Sequence, residues 1–383
     1  MKILFICNEY PPYKHGGIGS FTRDIAEGLV AKGQQVTVWG LYNNVSITLL
    51  ENINGVTVIR HPYTGIKSRF KQLHFIYILN QELKHYLKIT KFDIIECQEW
   101  QGLLPLGLAH PGYVLRLHGA AIFFDKLLNR PGNRLMHLLE KFTINNAKNI
   151  VAVSNYCGRE TLIMVGCKRA FTVIYNGVNQ SKLNNFKKPY FIPYSIVFAN
   201  SVLPKKGILE LVAAFNIVQE KFPEASLTII GKLGYQENGI NIKELIQQKL
   251  LQQSLPKVEI TGWLKNSEDV YHHLSTAHLC CYPSHMEGFG IAPVEAMAMA
   301  KPVLFMSNGP GPEVIEDGIS GILCDCTDSK KIAEKIIMLF DKTLDSEKLG
   351  NNASLRVKNL FELNEVFIPN NIAYYKSILS IEN

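Results

Sequence analysis

Short apolar runs alternate with helix-like segments in two successive series, and this rhythm narrows the possible folds more than any other property of the chain. The first series is Lys2 to Cys7, Val36 to Gly40, Val56 to Arg60, Phe92 to Cys97, Tyr113 to Leu117, Asn149 to Val153 and Phe171 to Tyr175. Runs of this length, separated by helical patterns, predict parallel strands joined by crossover helices. One helix is explicit: Ser20 is placed to cap it, Phe21, Ile25 and Leu29 recur at four-residue steps, and Gly33 ends it. After Asn176 the pattern lapses into the polar stretch Asn184 to Pro189, which reads as a linker. It resumes with Ser195 to Ala199, Ser226 to Ile230, Val258 to Thr261, Leu279 to Tyr282, Pro302 to Phe305 and Gly321 to Cys324. The expected fold is therefore α/β, with two doubly wound Rossmann-like domains at 1–183 and 190–360. A chain of 383 residues is long enough to give each its own core.

Composition removes several function classes. No run reaches the ~18 to 20 uncharged apolar residues of a membrane span, and the opening apolar run meets Asn8 and Glu9 too soon for a signal peptide, which predicts a cytoplasmic chain. The eight cysteines lack metal-ligand or redox spacing and several lie inside apolar runs, as buried reduced thiols do. Charge is uneven. Residues 1–180 hold 20 Lys or Arg against 11 Asp or Glu, while the remainder holds 20 against 22. Within the basic half, Arg60 to Lys91 carries seven Lys or Arg, one acid and the aromatics Tyr63, Phe70, Phe75, Tyr77 and Tyr86. That mixture suits an anionic membrane surface, and equally an ordinary helix with a solvated basic face. No nucleic-acid motif accompanies it.

The densest chemistry lies in Tyr282-Pro-Ser-His-Met-Glu-Gly-Phe-Gly-Ile-Ala-Pro-Val-Glu-Ala296. An apolar strand precedes it and a helix from Ala292 follows, so Gly288 to Gly290 open a helix. Free N–H groups and the helix dipole there attract phosphate, and glycine lets a ligand approach the main chain. Glu287 and Glu295 flank the turn, ~12 Å apart if every step between them were helical. Carboxylates beside an anion site are poor phosphate ligands but good acceptors for sugar hydroxyls, which points to a nucleotide-sugar. Gly16, Gly17 and Gly19 follow the first strand at a distance, unlike a dinucleotide fingerprint, which begins at the strand end.

Glu287, seven intervening residues and Glu295, with Gly-Phe-Gly between, resemble the signature of retaining glycosyltransferases of family four, which have the GT-B fold of two such domains facing across a cleft. Five other segments agree in order: Gly16-Gly-Ile-Gly19, Leu115-Arg-Leu-His-Gly119, Val173-Ile-Tyr-Asn-Gly-Val178, Pro204-Lys-Lys-Gly207 and Gly309-Pro-Gly-Pro-Glu-Val-Ile315. The resemblance implies that His118 holds the donor sugar, that Lys206 neutralises the departing diphosphate, and that Glu287 contacts the sugar ring. It further assigns donor-loop roles to Gly16, Gly17, Asn176, Gly288, Phe289, Gly290 and Ile291, a ribose role to Glu295, and a place beside the base to Gly262 and Trp263. Where the family commonly has a phosphate-binding arginine this chain has Ser201, so either an Arg or Lys elsewhere compensates or the Ser201 hydroxyl binds a phosphate oxygen. The metal-dependent transferases of the other fold use Asp-x-Asp, which this sequence lacks, so no metal and no cofactor are expected. The implied activity is metal-independent transfer from a nucleoside-diphosphate sugar to a glycan or lipid-linked acceptor, as in polysaccharide biosynthesis. The segment 361–383 is expected to cross back to the first domain. A sugar-nucleotide-binding pseudo-enzyme, or a GT-B phosphorylase or epimerase, would share these motifs.

Overall fold

The computed structural model describes residues 1–13, 16–68, 70–99, 110–234, 239 and 241–380. These form two compact units, one of 1–176 with 363–383 and one of 177–362.

The first unit is built on β1 (Lys2–Ile6), β2 (Gln35–Tyr42), β3 (Leu49–Ile53), β4 (Val56–Pro62), β5 (Ile94–Gln98), β6 (Tyr113–Leu117), β7 (Asn149–Ala152) and β8 (Thr172–Val173). Their order in the sheet is β3-β4-β2-β1-β5-β6-β7-β8, parallel except for β3, which runs antiparallel to β4. β1, β5 and β6 are buried almost throughout, because crossover helices cover both faces of a parallel sheet. β3 departs from the sequence expectation. Its residues alternate between half-buried and exposed, and it pairs through the turn Asn54-Gly55, both at positive φ (51° and 86°), the geometry of a tight hairpin.

The second unit holds β9 (Ser195–Ala199), β10 (Ser226–Ile230), β11 (Val258–Gly262), β12 (Leu279–Tyr282), β13 (Val303–Met306) and β14 (Ile322–Cys324). All six are parallel, in the order β11-β10-β9-β12-β13-β14. The chain works outward from β9 to β11, then returns to start β12 on the other side of β9. Both sheets therefore contain a switch point, at β1/β5 and at β9/β12, where successive crossovers leave in opposite directions and open a crevice at the carboxyl ends.

Two boundaries differ from those expected. The units meet at Asn176/Gly177 and at Glu362/Leu363, so the polar stretch 184–189 lies inside the second unit. The cause is pairing rather than composition: Val178 N–H donates to Phe361 O (2.8 Å), and Gln180 Nε2 donates to Ser354 O (3.0 Å). The helix Gly17–Ala31 starts three residues before Ser20, with Gly16 at its cap and no side-chain cap. Nearby, Glu9 Oε2 accepts from the Gly16 N–H at 2.7 Å, a contact no local pattern signals.

The last helix, Ile368–Ser380, is part of the first unit. Ile368, Tyr375 and Ile378 join the core of Ile3, Phe5, Ile25, Leu29 and Val36. Gly28 admits it, since a Cβ there would lie 2.6 Å from Ile368 Cδ1. Beneath the helix runs a fully buried polar network: Arg116 donates to both Glu96 oxygens (2.7 and 3.2 Å) and to Asn371 Oδ1, and Tyr375 OH donates to Glu96 Oε2 (2.7 Å). A buried guanidinium and carboxylate are tolerable only when paired and hydrogen-bonded, as Arg116 Nε and Nη2 and both Glu96 oxygens are here, while Arg116 Nη1 is left without a partner. Arg116→Met should therefore destabilise the protein by about 3–5 kcal/mol in urea unfolding, because Glu96 is left as an uncompensated buried charge. Adding Glu96→Gln should recover most of that loss. A single-variant loss below about 1 kcal/mol would show the network to be dispensable.

Candidate active site

In the second unit the switch point brings two sequence motifs into contact. The loop leaving β9 contains Asn200, Ser201 and a short 3₁₀ turn, Pro204–Lys206, before the helix Ile208–Lys221. The loop leaving β12 contains Ser284 to Gly290 and feeds the helix Ile291–Ala298. The two are held together at backbone level: His285 N–H donates to Lys205 O (3.0 Å), and Gly207, at φ +72°, lies so close that a Cβ would be 1.8 Å from Pro283 O. Only glycine fits there.

Across this seam Lys206 Nζ donates to Glu287 Oε1 at 2.5 Å, and the same oxygen accepts from Ser284 Oγ at 2.9 Å. Both charged side chains are mostly buried, at 15% and 12% exposure, which strengthens their attraction relative to a surface pair. Gly290 caps the following helix at φ +104°, and a Cβ there would stand 2.8 Å from the Phe305 ring. Glu295 lies on that helix and accepts from Tyr271 OH (3.3 Å). The Phe289 side chain is buried with its ring 5.5 Å from that of Phe361, so what Gly288, Phe289 and Gly290 offer a ligand is main chain. Ile291 is partly exposed at the helix start. Ser201 is exposed, its N–H donating to Asn200 Oδ1 (2.8 Å). Gly262, at φ +73°, ends the edge strand β11, and Trp263 beyond it is largely exposed. Lys206, Glu287 and the Gly288–Ile291 turn thus form one cluster, whereas Gly262 and Trp263 stand at the sheet edge, two strands from β9.

The remaining expected residues belong to the first unit. Gly16 and Gly17 begin a helix whose approach is clamped by Arg60. This fully buried guanidinium donates to Tyr10 O and Pro11 O (both 2.7 Å) and to Glu51 Oε2 (2.5 Å), between the rings of Tyr13 and Tyr42. His118 follows β6, its ring edge-on to Phe21 at 4.5 Å. Although the residue keeps some surface, Nε2 is sealed from solvent and has no partner. Burial, reinforced by the Arg116 charge, lowers its pKa to about 3. Asn176 Oδ1 is likewise buried and unpartnered. A buried polar atom without a partner calls for an explanation, such as an ordered water or a bound ligand. Two residues escaped the sequence reading, Ser284 and Glu99. Both stand just beyond a strand end, the position that should have flagged them. Among the described residues no cluster of three or more His, Cys, Asp or Glu could hold a metal ion, and no helix is long and apolar enough to cross a membrane.

Comparison with known proteins bears on the family and the fold. Residues 181–356 match the family described as Glycosyl transferases group 1, and residues 15–182 match Glycosyltransferase Family 4. An uncharacterised glycosyltransferase of Methanocaldococcus jannaschii is 26% identical over 84% of this chain and 84% of its own length. The glycogen synthase of Mycobacterium tuberculosis is 22% identical over 94% of this chain and 91% of its own. Among solved structures, sucrose-phosphate synthase from Thermosynechococcus elongatus superposes with a TM-score of 0.81 at 20% identity, over 99% of both chains. HepE of Anabaena, in complex with UDP and glucose, superposes with 0.72 at 20% identity, over 98% of this chain and 99% of its own. The fold is GT-B. The chain is a glycosyltransferase whose first half belongs to Glycosyltransferase Family 4 and whose second half belongs to the Glycosyl transferases group 1 family.

A neutral His118 is a direct consequence of its surroundings. Its folded pKa of about 3 lies below the unfolded 6.5, so protonation favours unfolding: the stability it contributes is intact above about 6.5 and declines as pH falls toward 3. In carbon-13 NMR of labelled histidine the His118 signal should stay flat between pH 5 and 8. A midpoint near 6.5 would mean an accessible, unburied ring.

Proposed function

We propose that this glycosyltransferase moves a sugar from a nucleoside diphosphate to an acceptor hydroxyl with retention at the anomeric carbon and without a divalent metal. The observation that carries the reading is the Lys206–Glu287 pair at the β9/β12 switch point, beside a glycine-capped helix. A diphosphate entering that crevice offers Lys206 more charge than one carboxylate does, and the helix N–H groups stand in for a metal ion. Glu287, relieved of the lysine, becomes an acceptor for a sugar hydroxyl. Glu295 suits the ribose hydroxyls, and the neutral His118 suits a further sugar hydroxyl. As the bond from the anomeric carbon to phosphate breaks, the acceptor oxygen bonds to the same face, and its proton passes to the leaving phosphate oxygen. The protein supplies position and positive charge rather than a nucleophile. That HepE is described with UDP and with UDP-glucose supports a donor of this kind.

The acceptor is proposed to be a glycan or lipid-linked, met by a cytoplasmic enzyme at an anionic membrane. Ile66, Phe70, Leu73 and Tyr77 are exposed in the basic stretch around the helix Lys71–Ile89, with Lys67 and Lys71 among them; Arg69 lies outside the described residues. Each such cation is worth ~1 kcal/mol at an anionic leaflet.

Three measurements test these readings. Lys206→Ala should lower kcat roughly a hundredfold or more while weakening donor binding much less, since its charge acts chiefly on the leaving group; EDTA should leave wild-type turnover intact. Equal losses in kcat and affinity, or a turnover that EDTA abolishes and magnesium restores, would contradict the scheme, and donor binding without any turnover would indicate a pseudo-enzyme. Lys67→Glu with Lys71→Glu should abolish sedimentation with anionic liposomes and spare donor binding. A wild-type chain that ignores such liposomes at low salt would favour an acceptor free in solution.

A further inference from the structure

Beyond β6 the chain turns sharply at His118 and Gly119, the latter at φ +113°, and enters the helix Ala121–Leu127. Four backbone N–H groups of this corner are gathered by two carboxylates. Glu99 Oε1 accepts from both His118 N and Gly119 N at 2.7 Å. Glu140 accepts from Ala121 N and Ile122 N, one on each oxygen, at 2.9 Å. Both acids are completely buried. Glu99 is the first residue past β5, and Glu140 lies on the helix Arg134–Asn146. Glu99 makes no ion pair among the described residues, and its Oε2 is sealed without a partner. Burial, with a contribution from the Glu140 charge, pushes its pKa up to about 8 against the pull of the N–H donors.

Burying a carboxyl without a cation, close to a second acid, carries a desolvation cost that an apolar residue would not incur. What that expense secures is the backbone at residue 118. Once the His118 N–H is fixed to Glu99 and the ring edge is packed on Phe21, the unpartnered Nε2 has one position to occupy. We propose that Glu99, backed by Glu140, is a positioning residue that fixes the His118 imidazole for the sugar of the substrate. This rests on the donor-site role proposed above for His118, and the effect is exerted through the main chain, so neither acid is itself a catalytic group. One Glu99 oxygen takes both N–H groups, so the glutamine variant, which keeps a single accepting oxygen and the shape of the neutral acid, can do the same work.

Glu99→Ala should lower kcat by about tenfold to a hundredfold, the scale of a 1 Å misplacement near the chemistry, with donor KM changed much less. Glu99→Gln should restore kcat to within a few fold. Combined with His118→Ala, Glu99→Ala should add little further loss, because both act on one imidazole. In the ligand-free protein, the amides of His118 and Gly119 should exchange at least about tenfold faster in Glu99→Ala, while β5 and β6 remain protected. Fully multiplicative effects of the two alanine variants, or unchanged exchange at His118 and Gly119, would overturn the proposal. Exchange is read without substrate, so it decides the clamp even if no donor is turned over; normal exchange changes with no turnover in any variant would instead count against the proposed function. Should Glu99→Ala fail to fold, the glutamine variants carry the same decision: wild-type exchange at His118 and Gly119 in Glu99→Gln, together with faster exchange at Ala121 or Ile122 in Glu140→Gln, where one of the two accepting oxygens is replaced by a donor, supports the clamp, and unchanged exchange at both Ala121 and Ile122 in Glu140→Gln opposes it.

Discussion

Parallel strands joined by one-handed crossovers send every strand-to-helix loop to the same edge of the sheet, and the strand order decides which loops become neighbours. In the second unit that order puts the loop after β9 beside the loop after β12, and the Lys206–Glu287 pair bridges them. The bridge has two consequences. It satisfies a mostly buried lysine and a mostly buried glutamate, and under the proposed function it makes each the other's competitor for substrate. In the proposed function a diphosphate draws Lys206 away and frees the carboxylate for a hydroxyl, so that one exchange would prepare both halves of a nucleotide-sugar. Gly207 keeps the loops close enough for this, since a Cβ there would strike the Pro283 carbonyl, and Gly290 lets the second loop pack against the Phe305 ring of β13.

The first unit relies on buried polar chemistry of a different sort. Arg116, Glu96, Asn371 and Tyr375 bind the last helix to β5 and β6, and Arg60 grips the Tyr10-Pro11 main chain ahead of the glycine loop. Such networks lend little net stability compared with apolar packing, yet they are intolerant of alternatives, because breaking one contact strands a charge. They suit segments that must hold one position. The glycine loop and the His118 corner are two such segments.

The strands were legible because doubly covered parallel strands read as unbroken apolar runs, as in Leu279–Tyr282 and Val303–Met306. β3 was missed since Leu49–Ile53 alternates weakly at an edge, although Asn54-Gly55 announced its hairpin. The unit boundary was misplaced because Val178 is bound to Phe361, a pairing from the far end of the chain that composition near Asn184 cannot reveal. Of the site, the residue types were readable from motif and position. The pairing of Lys206 with Glu287, 81 residues apart, and the two N–H groups shared by Glu99 were not, since both arise from strand order rather than from sequence spacing.

Calorimetric titration of the Glu287→Gln variant with the nucleoside diphosphate that binds the wild type most tightly tests this account most directly. If Glu287 competes with diphosphate for Lys206, removing its charge should tighten nucleotide binding, while Lys206→Met should weaken it. A Glu287→Gln variant that binds the nucleotide no better than, or worse than, the wild type would contradict the exchange on which the proposed chemistry rests.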